Sequence, residues 1–476
     1  MMSKPNILWI CTDQQRWDTL GCYGNKYVRT PVLDELAASG TLFNHAYSQS
    51  PVCTPSRSSF LTGRYPSTTR CRQNGQDIPE TEILVTKLLR DAGYTCGLSG
   101  KLHLSACNPS VTPEMERRID DGYSSFHWSH DPWDVWGDHN EYWKWLRERG
   151  ADGAARPHPE TDKITIGPSP ENHQTTWCTE KAIDFIQGDH DSPWLFSVNL
   201  FDPHHPFDAP EEYLARYLDV VDDIPLPNYS PGELTDKPRW QQRDHDGAYH
   251  GQWFGYEQFS DREHRLVRAS YFAMCDLIDD QVGRLIDSLK STGQYDNTII
   301  VFMSDHGEML GDHGIYLKGP FFYDCAIRVP LMISWPGKIR SQTSDALVEL
   351  MDLPQTLLDL CGLDSHCGMQ GKSLRPLLQG KTCTHKDHIF CEYFDAMCWS
   401  EIDGGKTSAV RTATHKLAVA HGVNTGELYD MVVDPEETVN QWNNPEYAGV
   451  KIDLLCMLSD RLAATVDPLP LRRAEW

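Results

Sequence analysis

The sequence has no apolar run near its start long enough to matter for membranes. "ILWIC", inside "MMSKPNILWICTDQQ", is five residues, far short of the roughly 20 that a bilayer-spanning helix needs, and its flanks do not resemble a secretory leader. No later stretch is longer and apolar enough to cross a bilayer. Positive charge is also scarce. Against 68 acidic residues there are 43 basic ones, a net charge of -25, which excludes nucleic acid as the main partner because phosphate backbones are held by surplus cationic charge. The 15 cysteines include no C-x-x-C pair and show no regular spacing, so neither a disulfide framework nor a structural zinc site is expected. There is no internal repeat and no low-complexity tract. These absences predict a cytoplasmic protein with no membrane contact, or a periplasmic or secreted one if a leader precedes this numbering. What is present is 476 residues, 39% apolar and 23% charged, room for one large domain and a smaller one.

Strand and helix signals alternate over about the first 375 residues. "NILWICT" (Asn6 to Thr12) reads as a buried strand. Thr30-Pro31 opens a helix that Gly40 closes. "TLFNHAY" reads as a second strand, Thr81 to Gly93 as a helix, and "YTCGLSG" as the next strand. "TTWCTEKAIDFIQ" is helical, "WLFSVNLF" a strand, about Glu263 to Thr292 a long helix, and "NTIIVFMS" and "VPLMISW" strands. "MDLPQTLLDLCG" is a helix closed by glycine. The pattern predicts an α/β fold with a large, mostly parallel sheet flanked by helices, over residues 1–375. Ser105 to Asn172 and Pro225 to Asp261 interrupt it and read as long structureless insertions, rich in Trp, His, Pro and Gly. Residues 376–476 read as a smaller α+β subdomain: short antiparallel strands, a "DPEE" turn, and a closing helix from Val450 to Val466.

Open α/β sheets bind ligands outside the carboxyl ends of their strands. Four strands here run into polar clusters: Asp13, Lys101 to His103, Asp202 to His205, and Asp305 to Glu308. Each holds residue types that bind metals or move protons, so four clusters in one topological place predict one site. A fifth feature is "SQSPVCTPSRSSFLTGRYP", Ser48 to Pro66. Pro55 and Gly63 frame a helix of about two turns whose free N–H groups face an anion-binding Cys53, with Arg57 in the first turn.

Cys53-Thr54-Pro55-Ser56-Arg57 followed by "SSFLTGRYP" resembles the signature of the sulfatase family, within the alkaline phosphatase superfamily. "PNILWICTDQQ", "GKLHL", "SDHGEMLGDHG", "YLKGPFFYDCAIRVPLMI" and "GELYDMVVDPEETVN" extend the resemblance over nearly the whole chain. It implies that a separate formylglycine-generating enzyme, or an equivalent one, oxidises Cys53 to formylglycine. Its hydrated aldehyde would attack sulfur with one hydroxyl and expel sulfate with the other, splitting one hard step into two. The resemblance further implies one divalent cation on Asp13, Gln14, the modified Cys53, Asp305 and His306. Gln14 stands where many sulfatases carry a second aspartate, and His306 replaces a common amide ligand. Carboxylate-rich ligation makes Ca²⁺ the first expectation, and these two departures weaken it and open Mg²⁺ or Mn²⁺. Arg57 and Lys101 would fix the nucleophile, His103 would be the base for sulfate elimination, His204 would protonate or orient the leaving alcohol, and Lys318 would contact sulfate and the leaving oxygen. His205 could exchange roles with His204. Asp312 and His313 read as loop structure behind the site.

Phosphonate monoester and phosphodiester hydrolases of the same superfamily resemble the chain too, through the Asp13-Gln14 start and the Asp305-His306 pair. The Lys101-x-His103 pair favours sulfate esters. Trp128, Trp133, Trp136, Trp143, Trp145, Trp240 and Trp253 in the two insertions suggest a sulfated small molecule or oligosaccharide, since aromatic rings stack on sugar faces. Trp143 and Trp145 can equally pack a helix, Asn140 to Gly150, on the core. A non-catalytic binder of sulfated glycans is the reading if Cys53 stays a thiol. A homo-oligomer is compatible with this composition.

Overall fold

A computed structural model describes residues 4–397 and 405–474. Its centre is an eight-stranded sheet. In chain order the strands are β1 (Asn6–Thr12), β2 (Thr41–Phe43), β3 (Thr95–Gly100), β4 (Ser125–Trp128), β5 (Trp194–Asn199), β6 (Thr298–Ser304), β7 (Leu331–Ser334) and β8 (Gln342–Ser344). They lie in the order β8-β2-β7-β6-β1-β5-β3-β4. β7 alone runs antiparallel to its neighbours, so the sheet is mostly parallel as expected.

Successive residues of a strand point to opposite faces. In β1, Ile7, Trp9 and Cys11 enter one hydrophobic cluster, where the helices Val85–Asp91 and Leu353–Leu360 cover the sheet. Leu8 and Ile10 enter the other, beneath the helices Pro31–Ser39, Gln174–Gln187 and Asp261–Ser291. Burial on both faces is why β1 reads as a continuous apolar run rather than an alternating one. Its central position between β5 and β6 brings the carboxyl ends of three strands together, and these carry Asp13, Asp202 and Asp305.

Three local expectations change. "TLFNHAY" is two short strands, β2 and Ala46–Tyr47, in different sheets, because residues 44 and 45 form a turn between them. The helix expected from Thr81 begins only at Val85. The insertions are not structureless. The first supplies β4, which pairs with β3 at the sheet edge, and the helix Glu141–Arg149, capped by Asn140. The second contains the helix Arg239–Asp246.

At the C-terminal end, β9 (His388–Phe394), β10 (Lys406–Thr412), β11 (His415–Ala420) and β12 (Thr425–Asp430) form an antiparallel meander. The helix Ala448–Ala464 presses Leu454 and Leu458 onto Phe390, Val410, Leu417 and Leu428. A buried ion pair ties this meander to the main body: Lys416 Nζ lies 2.6 Å from Asp324, and Glu437, 2.7 Å from the same nitrogen, accepts the Asp324 backbone N–H. Among the described residues no helix is long and apolar enough to cross a membrane.

Candidate active site

The helix Cys53–Thr62 begins at Cys53 itself and ends at Gly63, whose φ of 71° is the left-handed conformation that glycine adopts freely. Asn74 Oδ1 accepts the N–H of Thr54 at 3.0 Å, satisfying one free donor of the first turn. Arg57 stands four residues on, hence on the same face as Cys53. Every residue of this helix is buried; the hydroxyls of Ser56, Ser58 and Thr62 find acceptors, whereas those of Thr54 and Ser59 have none among the described residues. Ser56 Oγ donates to the Asp305 carbonyl at 2.6 Å.

The Cys53 sulfur is buried among the side chains of the site. It lies 2.9 Å from Lys318 Nζ, 3.2 Å from His306 Nε2, 3.6 Å from Asp13 Oδ1 and 3.8 Å from Lys101 Nζ. Arg57 is completely buried and forks three ways. Nε donates to Asp305 Oδ2 at 2.9 Å, one terminal nitrogen to Asp13 Oδ2 at 3.0 Å, and the other to the Lys101 carbonyl at 2.9 Å. Lys101 Nζ also pairs with Asp13 Oδ2 at 2.7 Å. Three cationic side chains thus meet two carboxylates, leaving a positive site inside a protein of net charge -25. Such a pocket attracts an anion against the overall field.

Gln14 sits in the left-handed region at φ 65°, strained for a residue with a side chain. Its backbone N–H donates to Asp305 Oδ1 at 3.0 Å. Its amide nitrogen donates to Glu308, which leaves Oε1 turned to the site, 2.8 Å from Lys318 Nζ. Glu308 is the residue that orients Gln14. Sequence reasoning placed it in the fourth cluster and gave it no task. The available signal was its place at i+3 from Asp305 in a buried loop. Its other oxygen accepts the backbone N–H groups of Leu310 and Leu317; burial raises the carboxyl above its ordinary value, and these donors with Gln14 offset only part of that rise.

His306 donates from Nδ1 to the Gly307 carbonyl at 2.8 Å, which turns Nε2 to the site; burial lowers the ring, but Asp305 and Cys53 outweigh it and raise it above the ordinary imidazole value, so Nε2 offers its lone pair to a cation once its proton is displaced. One ligand atom from each of Asp13, Cys53, Asp305 and His306 lies within 4.8 Å of the others. These donors, with the amide oxygen of Gln14, fit a divalent cation. His204 donates from Nδ1 to the His205 carbonyl at 2.6 Å, and its Nε2 faces Lys318 Nζ at 3.0 Å. His205 stacks on His204 and has a buried Nδ1 without a partner among the described residues. His103 lies at the edge of the site. Its ring meets His130 edge-on at 4.5 Å, and its Nδ1 is likewise unpartnered.

Burial and Asp13 push the Cys53 thiol up, but Lys101, Lys318 and His306 outweigh them and bring it below its ordinary value. Burial opposes charge on Asp13 as well, yet Lys101, His204, Arg57 and Lys318 hold its carboxyl well below the usual range. Burial drives His103 and His204 well below the ordinary imidazole value, and His205 to about 3, so all three rings are neutral. Lys101 and Lys318 keep their protons because Asp13 and Cys53 outweigh the cost of burial.

The structure therefore gathers Asp13, Gln14, Cys53, Arg57, Lys101, His204, Asp305, His306 and Lys318 in one contact network, with His103 beside Lys101. The most exposed of them, His204, is 8% accessible. Most of the insertion tryptophans do other work. Trp128, Trp136 and Trp240 are buried, and Trp143 and Trp145 pack on the core. Trp133 is 44% exposed and meets Phe201 edge-on at 5.7 Å, while Phe201 lies beside Lys101 and His204. Asp312 pairs with Arg16 and Arg268, and His313 stacks on Tyr323, so both brace the loops behind the site.

The sulfatase family model matches residues 5–363, and that of the N-sulphoglucosamine sulphohydrolase C-terminal region matches 311–464. The chain belongs to the sulfatase family and is a sulfuric ester hydrolase. It is 30% identical to an arylsulfatase of Clostridium perfringens, over 95% of this chain and 93% of that one. It is 26% identical to an N-acetylglucosamine-6-O-sulfatase of Bacteroides thetaiotaomicron, over 96% and 86%. Among solved structures, a phosphonate monoester hydrolase of Agrobacterium radiobacter superposes with a TM-score of 0.85 at 26% identity, covering 98% of this chain and 97% of that one. The large sheet with its C-terminal meander is the alkaline-phosphatase-like architecture.

Proposed function

We propose that the protein hydrolyses a sulfate monoester of a saccharide, with oxidised Cys53 as nucleophile and one divalent cation as cofactor. The position of Cys53 carries this reading: it opens a buried helix, with Lys318, His306, Asp13 and Lys101 all within 3.8 Å of its sulfur. Conversion of Cys53 to formylglycine by a maturation enzyme would supply, as the hydrate, one hydroxyl to attack sulfur and a second whose deprotonation expels sulfate. A divalent cation, Ca²⁺ first with Mg²⁺ or Mn²⁺ open, would be held by Asp13, Gln14, Asp305 and His306, and would add positive charge against the sulfate.

The chain's own residues do the rest. Arg57 and Lys101 hold Asp13 and Asp305 in register with residue 53. The neutral His103 has a free ring nitrogen to take the proton that leaves with sulfate elimination. Lys318 is protonated and donates to Cys53 Sγ at 2.9 Å while meeting His204 Nε2 at 3.0 Å. Because the Nδ1 of His204 donates to a carbonyl, its Nε2 accepts from Lys318. This arrangement makes Lys318 the proton source at the leaving oxygen and His204 the group that orients it. Positive charge already aimed at the developing anion is where such sites gain most.

The exposed Trp133, next to Phe201 at the site's edge, supports a sugar as the leaving alcohol, and so does the likeness to the N-acetylglucosamine-6-O-sulfatase. The likeness to the phosphonate monoester hydrolase favours a second reading, in which a phosphonate or phosphodiester is the substrate. Rates on matched aryl sulfate and phenylphosphonate esters separate the two. Faster turnover of the sulfate is expected, and faster turnover of the phosphonate would overturn the first reading.

A further inference from the structure

β3 and β4 run parallel at the sheet edge, so the segments after their carboxyl ends bring His103 and His130 side by side. The loop that carries His103 is held in place. The φ of His103, 54°, is left-handed, a strained conformation for a residue with a side chain. The carboxyl group of Glu116 fixes it there, accepting the backbone N–H groups of His103 and Leu104 at 2.9 Å each and the Trp128 indole N–H at 2.9 Å. The same loop presents Cys107. One ligand atom from each of His103, Cys107 and His130 lies within 4.8 Å of the others.

The rings have nitrogen to spare. His103 is 6% exposed, and its Nδ1 has no partner among the described residues; nor has the buried Nδ1 of His130. Burial, with Lys101 adding to it, keeps both imidazoles neutral, so each ring retains one lone pair for a ligand. The Cys107 thiol donates to the Ser105 carbonyl at 3.4 Å, a contact that uses its proton and not its sulfur lone pairs. Burial, with Glu116 and Asp131, pushes that thiol well above its ordinary value against Lys101 and Arg57. The acidic neighbours that resist a bare thiolate favour a cation beside it.

We propose that His103, Cys107 and His130 bind a thiophilic divalent cation of the Zn²⁺ class, apart from the cation at Cys53. Two imidazoles and one thiolate are donors such an ion prefers, with a fourth position left for water. Ca²⁺ takes oxygen ligands and has no hold here, so the two sites sort their ions by chemistry. On binding, the Cys107 S–H bond breaks, the sulfur electron pair goes to the metal and the proton to solvent. The ion also takes the single lone pair of His103. It therefore inhibits turnover, a consequence that rests on the reading of His103 as the base. The rival occupant is a water molecule bridging the two rings.

Co²⁺ substitutes for Zn²⁺ and reports a thiolate ligand through a sulfur-to-metal charge-transfer band in the near ultraviolet. Full-length protein saturated with Ca²⁺ is titrated with Co²⁺, and Zn²⁺ is then added. Wild type is expected to develop the band with about one equivalent and to lose it to Zn²⁺, and Cys107→Ser to lack that contribution. Signal from an unconverted Cys53 or an exposed thiol is common to both and cancels. Identical titrations of the two proteins would overturn the proposal in favour of water. His130→Ala keeps the thiol and should bind Co²⁺ about tenfold or more weakly. If Cys107→Ser does not fold, this variant decides, and unchanged affinity overturns the site. Zn²⁺ should also inhibit aryl sulfate turnover at the concentration that removes the band, with about tenfold more needed for Cys107→Ser. Binding without inhibition would support the site and remove His103 as the base, so the two readings fail separately.

Discussion

Glu308→Gln tests how Gln14 is aimed. Glu308 Oε1 takes the backbone N–H groups of Leu310 and Leu317, so a glutamine at 308 keeps its oxygen there. Its amide nitrogen then replaces the oxygen that accepts from Gln14. Two NH₂ groups would face each other, and the Gln14 amide must flip. The flip turns donors instead of Oε1 towards Lys318 Nζ and the cation. Loss of such an orienting partner costs about 10- to 100-fold in metal affinity, or about 1.4 to 2.8 kcal/mol. The assay is competition between stripped enzyme and a fluorescent chelator for Ca²⁺, alongside kcat/KM on an aryl sulfate. Circular dichroism and the melting temperature check that the fold survives. Both affinity and kcat/KM are expected to fall together. Unchanged affinity in a folded variant would refute the assignment of Gln14 as a ligand.

Three further outcomes follow from the same structure. Arg57→Ala leaves two buried carboxylates without their guanidinium, and denaturant melts should show a loss of about 3 to 5 kcal/mol; a smaller effect than about 1 kcal/mol would mean the pairs are not buried as described. For Asp312, burial pushes the carboxyl up, but Arg16 and Arg268 outweigh it and bring the value down to about 2. The folded value lies below the unfolded one, so its stabilisation is complete above pH of about 4 and fades as the pH falls towards about 2. The stability advantage of wild type over Asp312→Asn should shrink by roughly 2 kcal/mol across that window, and a pH-independent difference would contradict the pairing. Trp133→Ala should raise KM on a sulfated disaccharide up to about tenfold, as the loss of one aromatic contact allows, and leave a small aryl sulfate unaffected; equal effects on both would remove Trp133 from the sugar-binding role.

Much of this arrangement was legible in the sequence because parallel-sheet physics is strict. A strand buried on both faces reads as an apolar run, and its carboxyl end is where polar residues can face a ligand. That logic located Asp13, Lys101, Asp305 and the histidines after β5 without coordinates. Lys318 was less legible from first principles: no strand leads into it, and only the motif around it marks it. Glu308 stayed silent because its partner, Gln14, lies 294 residues away. The tryptophans misled for a related reason. An indole on a helix or strand edge reads the same whether it faces the core or a sugar, and only packing shows that Trp128 and Trp136 are interior while Trp133 is not. The short strand β4 was hidden inside an apparent insertion because four residues, Ser-Phe-His-Trp, carry too little periodicity to announce a strand.

The most direct test of the central claim measures conversion and turnover on the same preparations. Peptide mass spectrometry across Cys53 gives the fraction carried as aldehyde, and sulfate release gives the rate. The account predicts a rate proportional to that fraction, extrapolating to none at zero conversion. Full turnover with an unmodified thiol, or in Cys53→Ala, would contradict it.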